Sequence, residues 1–86
     1  RDYEMAVLAY VLVTMKSGSE KDVLKKVSSF EEATEVDLLY GEYDAIVKVR
    51  VEEMPQLDKF LTEKLRVLPD IFLTTTMIVA RQYKGK

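Results

Sequence analysis

The sequence predicts an α+β domain: one four-stranded antiparallel sheet with two helices on a single face. Three features of its 86 residues carry that expectation. Two apolar stripes at helical spacing lie at Val23–Phe30 and Leu57–Leu65. Between them stand two alternating runs joined through a glycine, the pattern of a hairpin. The chain opens and closes on apolar runs with hydrophobic residues on both strand faces.

Met5–Thr14 (MAVLAYVLVT) is apolar at nearly every position and rich in valine, so it reads as a strand buried on both faces. Ser17-Gly18-Ser19 breaks the run, and Ser17 with Glu20 fits an S-x-x-E capping box. Val23, Leu24, Val27 and Phe30 then form one helical stripe, with Lys21, Lys25, Lys26 and Glu31 outside it. Ala33–Tyr40 sets Thr34, Val36, Leu38 and Tyr40 against Glu35 and Asp37, a half-buried strand. Gly41-Glu42 is the turn. Asp44–Val51 places Ala45, Val47, Val49 and Val51 on one face and Ile46, Lys48 and Arg50 on the other. Pro55 is tolerated in the first turn of a second helix, whose stripe is Leu57, Phe60, Leu61, Lys64 and Leu65. Pro69-Asp70 is a turn, and Ile71–Ala80 is the last strand. Arg81–Lys86 is polar and is expected to fray. Right-handed crossovers turn this β-α-β-β-α-β order into the ferredoxin-like arrangement, with strands one and three central.

Residues 5–83 are expected to form one domain. Residues 1–4, ahead of Met5, read as a tag or linker remnant. A chain this short buries only about 60–65% of its unfolded surface, so its core alone leaves a thin margin. The sequence has no Cys, which excludes disulfides and thiolate metal sites. It has no His, which removes the commonest metal ligand and the commonest acid–base catalyst near neutral pH. No cofactor is implied. Oligomerisation is the staple that remains. The net charge of −2 argues against a nucleic-acid binder with a field of its own. No apolar stretch is long enough to span a membrane and no secretory signal is evident, so a cytoplasmic location is expected.

With both helices on one face, the other face of the sheet is bare in a single copy. That face would carry Ala6, Leu8, Tyr10 and Leu12 of the first strand, or their neighbours Met5, Val7, Ala9, Val11 and Val13. The last strand is apolar both ways, with Ile71, Leu73, Met77 and Val79 against Phe72, Ile78 and Ala80. Such a face exceeds what soluble monomers expose, and a second copy packed sheet to sheet covers it. The alternative is that the C-terminal tail folds over it, which six polar residues do poorly.

Few constellations could carry chemistry. The carboxylate pairs Glu31-Glu32 and Glu52-Glu53 sit at element ends, where solvated charge is the ordinary explanation. The glycines Gly18, Gly41 and Gly85 are isolated and form no phosphate loop. Two segments stand out. In Gly41-Glu42-Tyr43-Asp44, glycine permits close backbone approach, and Asp44 either caps the turn or faces an ammonium. In Thr74-Thr75-Thr76, alternation puts Thr74 and Thr76 on one face, two hydroxyls suited to a small polar ligand or simply to a strand.

These segments carry a family resemblance. The opening strand AYVLVTMKSGSE, the G-E-Y-D at Gly41–Asp44 followed by AIVKVRVEEMPQLDKFLTEKLRVLPDI, and the T-x-T of Thr74 and Thr76 followed by MIVA resemble one domain. It is the effector-binding and assembly (RAM) domain of the Lrp/AsnC, or feast/famine, transcriptional regulators. The resemblance implies a dimer through the sheets, further assembly into rings of about eight subunits, and an amino acid bound between neighbouring dimers. It assigns the ligand's backbone groups to Gly41, Glu42, Tyr43 and Asp44, with Thr74 and Thr76 lining the cleft and Leu39 and Tyr40 beside it. Leu73 stands where members often carry a basic residue. Full-length members also carry a helix-turn-helix, which this chain has no room for. It resembles the stand-alone form or an excised fragment, with no direct DNA binding of its own and a regulatory role through mixed assembly with full-length members or ligand buffering.

Three alternatives share the topology. An ACT-like regulatory domain would bind its amino acid at the first strand–helix loop, here Lys16–Ser19. A purely structural assembly module would bind none. A small dimeric enzyme would want His, Asn, Trp or Arg in a cavity, and this chain has no His, Trp or Asn.

Overall fold

A computed structural model describes residues 6–85, so the tag or linker reading of residues 1–4 lies outside the described residues, as does Met5. Strand β1 (Val7–Met15) leads into helix α1 (Glu20–Ser28). Strands β2 (Ala33–Leu38) and β3 (Ala45–Val51) follow, and then helix α2 (Met54–Lys59), which runs on as a π-helix (Phe60–Leu65) before strand β4 (Ile71–Ile78). The sheet order is β2-β3-β1-β4 with every pairing antiparallel. This is the predicted ferredoxin-like α+β arrangement, with β1 and β3 central.

The core lies between this sheet and the helices. Ala9, Val11, Val13 and Met15 of β1 and Ala45, Val47, Val49 and Val51 of β3 point into it. Val23 and Val27 of α1 meet them, with Leu57, Phe60 and Leu65 of the second helix. The burial alternates strictly along β3 because a period of two sends successive side chains to opposite faces. Phe30, just past α1, meets the Phe60 ring edge-on at 5.9 Å between centroids. The stripe spacing from Phe60 to Leu65 is too long for an ideal α-turn. The π-helix absorbs it, as the Arg66 N–H donating to the Leu61 carbonyl at 2.9 Å shows.

Four expectations are corrected. The Ser17–Glu20 capping box does not form, because the positive φ of Gly18 turns the chain before a helix can begin. Helix α1 starts at Glu20, whose carboxylate accepts the Gly18 N–H at 2.9 Å, while the Ser19 hydroxyl donates to the Lys16 carbonyl at 2.6 Å. Strand β2 ends at Leu38, so Tyr40 leaves the ladder and is 99% exposed; Leu38 is 55% exposed. Both sit at the tip of an edge strand, beyond the part where Ala33 and Val36 pack on the core. Ile71 does not share a face with Leu73. A bulge sets Met15 opposite Ile71 and Thr14 opposite Leu73, so Phe72 is the extra residue and Ile71 turns toward the core. Strand β4 stops at Ile78 rather than Ala80, and one further bond, Val79 N–H to the Leu8 carbonyl, ends the ladder.

The second sheet face carries Leu8, Tyr10 and Leu12 of β1, flanked by Ile46 and Lys48 of β3 and by Leu73, Thr75 and Met77 of β4. The ammonium of Lys48 lies 5.8 Å from the centre of the Tyr10 ring opposite it. Leu73 and Met77 remain 57% and 48% exposed in a single copy. The tail residues 81–85 line a cleft with Ala6 and Leu8 at one end of the sheet.

Among the described residues, no helix is long and apolar enough to cross a membrane.

Candidate functional site

The six residues joining β2 to β3 are held at three points. The Leu39 N–H donates to the Asp44 carbonyl at 2.8 Å, and the Asp44 N–H donates to the Val13 carbonyl at 2.9 Å. The third is the Asp44 side chain, whose Oδ2 accepts the Met15 N–H at 2.9 Å. Met15 lies past Val13–Ala45, the last pair of the β1–β3 ladder, so Asp44 supplies an acceptor where that ladder ends. Asp44 therefore bonds across to β1 rather than capping its own turn. A carboxylate offers about four acceptor positions, so this bond leaves capacity for a further donor. Gly41 lies in the same link at φ +149°, a conformation side chains rarely adopt, with open space where a Cβ would stand.

Beside this link opens a cleft of about 520 Å³. Its polar lining is Gly18, Glu20, Lys21 and Asp44, and its apolar lining is Leu24, Leu38, Leu39 and Tyr40. The first strand–helix connection and the β2–β3 link thus meet at one opening. The two loops that separated the alternative sites in the sequence are neighbours in space. Lys21 and Leu24 carried no signal as site residues in the sequence, since both read as ordinary members of an amphipathic helix.

The remaining sequence candidates are distributed differently. Gly41 and Glu42 are exposed in the link and Tyr43 is half-buried, and none of the three lines the cleft. Thr74 pairs with Val13, which pairs on its other side with Ala45, the residue after Asp44. Thr76 pairs with Val11, one pleat further from the link. Both threonines share the helix-side face and are half-buried, but β1 stands between them and β3. The distance from Thr74 to Ala45 is thus about two strand spacings, or roughly 10 Å.

One carboxylate of the two pairs has a side-chain partner. Glu32 takes the Lys64 ammonium at 2.8 and 3.0 Å. Partial burial pushes the Glu32 carboxyl up, but the Lys64 hydrogen bond, a backbone hydrogen bond and the Lys64 charge outweigh this and hold it below its ordinary value of 4.5. A depressed carboxyl stabilises the fold above its ordinary value, and that contribution is lost as pH falls through the folded-state value. Because the Lys64 side chain is 43% exposed, solvent screening limits the pair to under about 1 kcal/mol. Glu32→Gln should therefore lower stability by less than about 1 kcal/mol at pH 7. In urea titrations the gap from the parent should narrow as pH falls below 4.5. At the second pair, the Glu52 and Glu53 N–H groups both donate to the Gln56 side-chain oxygen, at 2.8 and 2.7 Å, securing the start of α2.

The family model described as the Lrp/AsnC ligand binding domain matches residues 8–86. This chain belongs to that family. The HTH-type transcriptional regulator FL11 of Pyrococcus horikoshii is 33% identical over 79 residues, which is 92% of this chain and 52% of FL11. The Leucine-responsive regulatory protein of Escherichia coli is 32% identical over 85 residues, covering 94% of this chain and 51% of that protein. The chain spans about half the length of these curated relatives. Among solved structures, the crystal structure of FFRP-DM1 superposes with a TM-score of 0.83 at 42% identity, over 85% of this chain and 97% of that one. FL11 is named as a transcriptional regulator and the E. coli relative as a regulatory protein, and the part of this chain that matches them is the ligand-binding domain of the family.

Proposed function

We propose that this domain senses a free amino acid and couples its binding to self-assembly, serving transcription regulation without catalysis. The observation that carries the reading is the cleft beside the β2–β3 link, where Asp44 and Glu20 meet an apolar wall within a ligand-binding-domain family. An amino acid is a zwitterion with a variable side chain. It needs an acceptor for its ammonium, donors for its carboxylate and a pocket for the rest. Asp44 supplies the first, and the Gly41–Tyr43 backbone is open to supply the second. In this reading Gly41, Glu42, Tyr43 and Asp44 hold the ligand. Thr74 and Thr76 line the cleft only with a neighbouring copy in place, since in one copy β1 intervenes. The name of the E. coli relative, leucine-responsive, supports the ligand class.

The open sheet face supplies the assembly: a dimer through Leu8, Tyr10 and Leu12, and rings of about eight subunits through further contacts. If ligand binds where dimers meet, binding and assembly are linked reciprocally, typically by about 1–3 kcal/mol. Partners would then be other copies, and family members that carry a DNA-binding domain, in a cytoplasmic setting.

Thermal denaturation with each of the twenty amino acids in millimolar excess tests the reading. A ligand at 100 times its Kd adds roughly 2.7 kcal/mol to the state it binds. For a domain this size that is on the order of 10 °C. A shift with one chemical class supports sensing. A flat panel refutes it and leaves the assembly module as the better account.

A further inference from the structure

One wall of the cleft comes from the first two turns of α1. Building on the amino-acid-sensing reading, we propose that Lys21 and Leu24 of α1 complete the ligand site, and that the ligand is an amino acid with a large apolar side chain. The charges around the opening support this. Glu20 and Asp44 each hold one backbone N–H, Gly18 and Met15 respectively, and each keeps acceptor capacity to spare. Lys21 is exposed on the same opening and forms no ion pair among the described residues. Two carboxylates and one ammonium complement a zwitterion: its ammonium falls to Asp44 and Glu20, and Lys21 joins the Gly41–Tyr43 backbone as a donor to its carboxylate.

The rest of the lining decides the side chain. Leu24 and Leu39 are half-buried, while Leu38 is 55% and Tyr40 99% exposed, so the apolar wall stands open to water. A charged ligand side chain laid on that wall would shed water without gaining a partner. A small one would leave Leu38 and Tyr40 bare. A branched or aromatic side chain covers them, and the cleft volume of about 520 Å³ accommodates it.

Titration calorimetry with leucine, phenylalanine, alanine, aspartate and lysine tests this on the parent chain, Lys21→Gln, Lys21→Arg and Asp44→Asn. Leucine or phenylalanine should bind the parent at least tenfold tighter than the other three. Lys21→Gln should weaken that binding about tenfold with the ligand-free thermal midpoint unchanged, and Lys21→Arg should restore most of it. If Lys21→Gln binds like the parent while Asp44→Asn does not bind, the α1 wall is not part of the site and the sensing reading survives. Preference for aspartate or lysine overturns the side-chain assignment alone. Absence of binding by all five overturns this inference, and only a flat response across all twenty overturns sensing with it.

Discussion

Replacing Phe60 with alanine is expected to cost about 3–5 kcal/mol, enough to unfold most of the population of a domain this small. Phe60 is the largest of the fully buried side chains, at 1% exposure. Its ring meets Phe30 edge-on, and it sits where α2 passes into the π-helix. Truncation removes the ring's transfer free energy and leaves a cavity that β1, β3 and α1 cannot close together. A circular-dichroism temperature scan should show loss of cooperative melting. Phe60→Leu should retain it, with a lower midpoint, because a branched aliphatic chain fills much of the space. A Phe60→Ala protein with an unchanged midpoint would mean that the helix layer is not packed as described.

The second large effect is expected at the other face. If copies assemble through this face as proposed, Leu12→Lys should leave the protein monomeric. Leu12 lies in mid-strand on the central β1, opposite Ile46 on one side and Thr75 on the other, on the face turned away from the helices. In a sheet-to-sheet dimer, an unpaired ammonium there would be buried twice, once from each copy. Leaving a buried charge without a partner costs on the order of 3–5 kcal/mol, which weakens association a hundredfold or more. In one copy Leu12 is half-buried at an open surface, so the lysine can reach water and the monomer should stay folded. Light scattering gives the mass and circular dichroism the fold. A folded Leu12→Lys chain of parental mass would show that copies do not meet through this face.

Much of the fold was legible from residue order because side-chain periodicity is local. The alternation of Ala45, Val47, Val49 and Val51 needs no tertiary information to assign a face, and the structure buries all four. Val23 and Val27, one turn apart, likewise point one way. Two of the misreadings fall where a single residue changes the phase. A bulge at Phe72 reverses Ile71, and the positive φ of Gly18 moves the start of α1 past Ser17. Neither is encoded by spacing. The candidate site was legible only in part. Asp44 stood out because a carboxylate is unusual at the mouth of an apolar strand, but its bond to Met15 spans 29 residues of sequence. Lys21 and Leu24 had no such anomaly to betray them.

Composition and pattern by themselves determined the topology, the two-sided apolar character of β1 and β4, and the absence of histidine and cysteine chemistry. They could do so because hydrophobic period and side-chain chemistry are properties of neighbouring residues. The tertiary structure alone decided that the first strand–helix loop and the β2–β3 link share one cleft, and that Thr74 and Thr76 lie across β1 from it. Those relations depend on which strands pair and in what register. Register is set jointly by bulges and long-range hydrogen bonds between segments far apart in the chain.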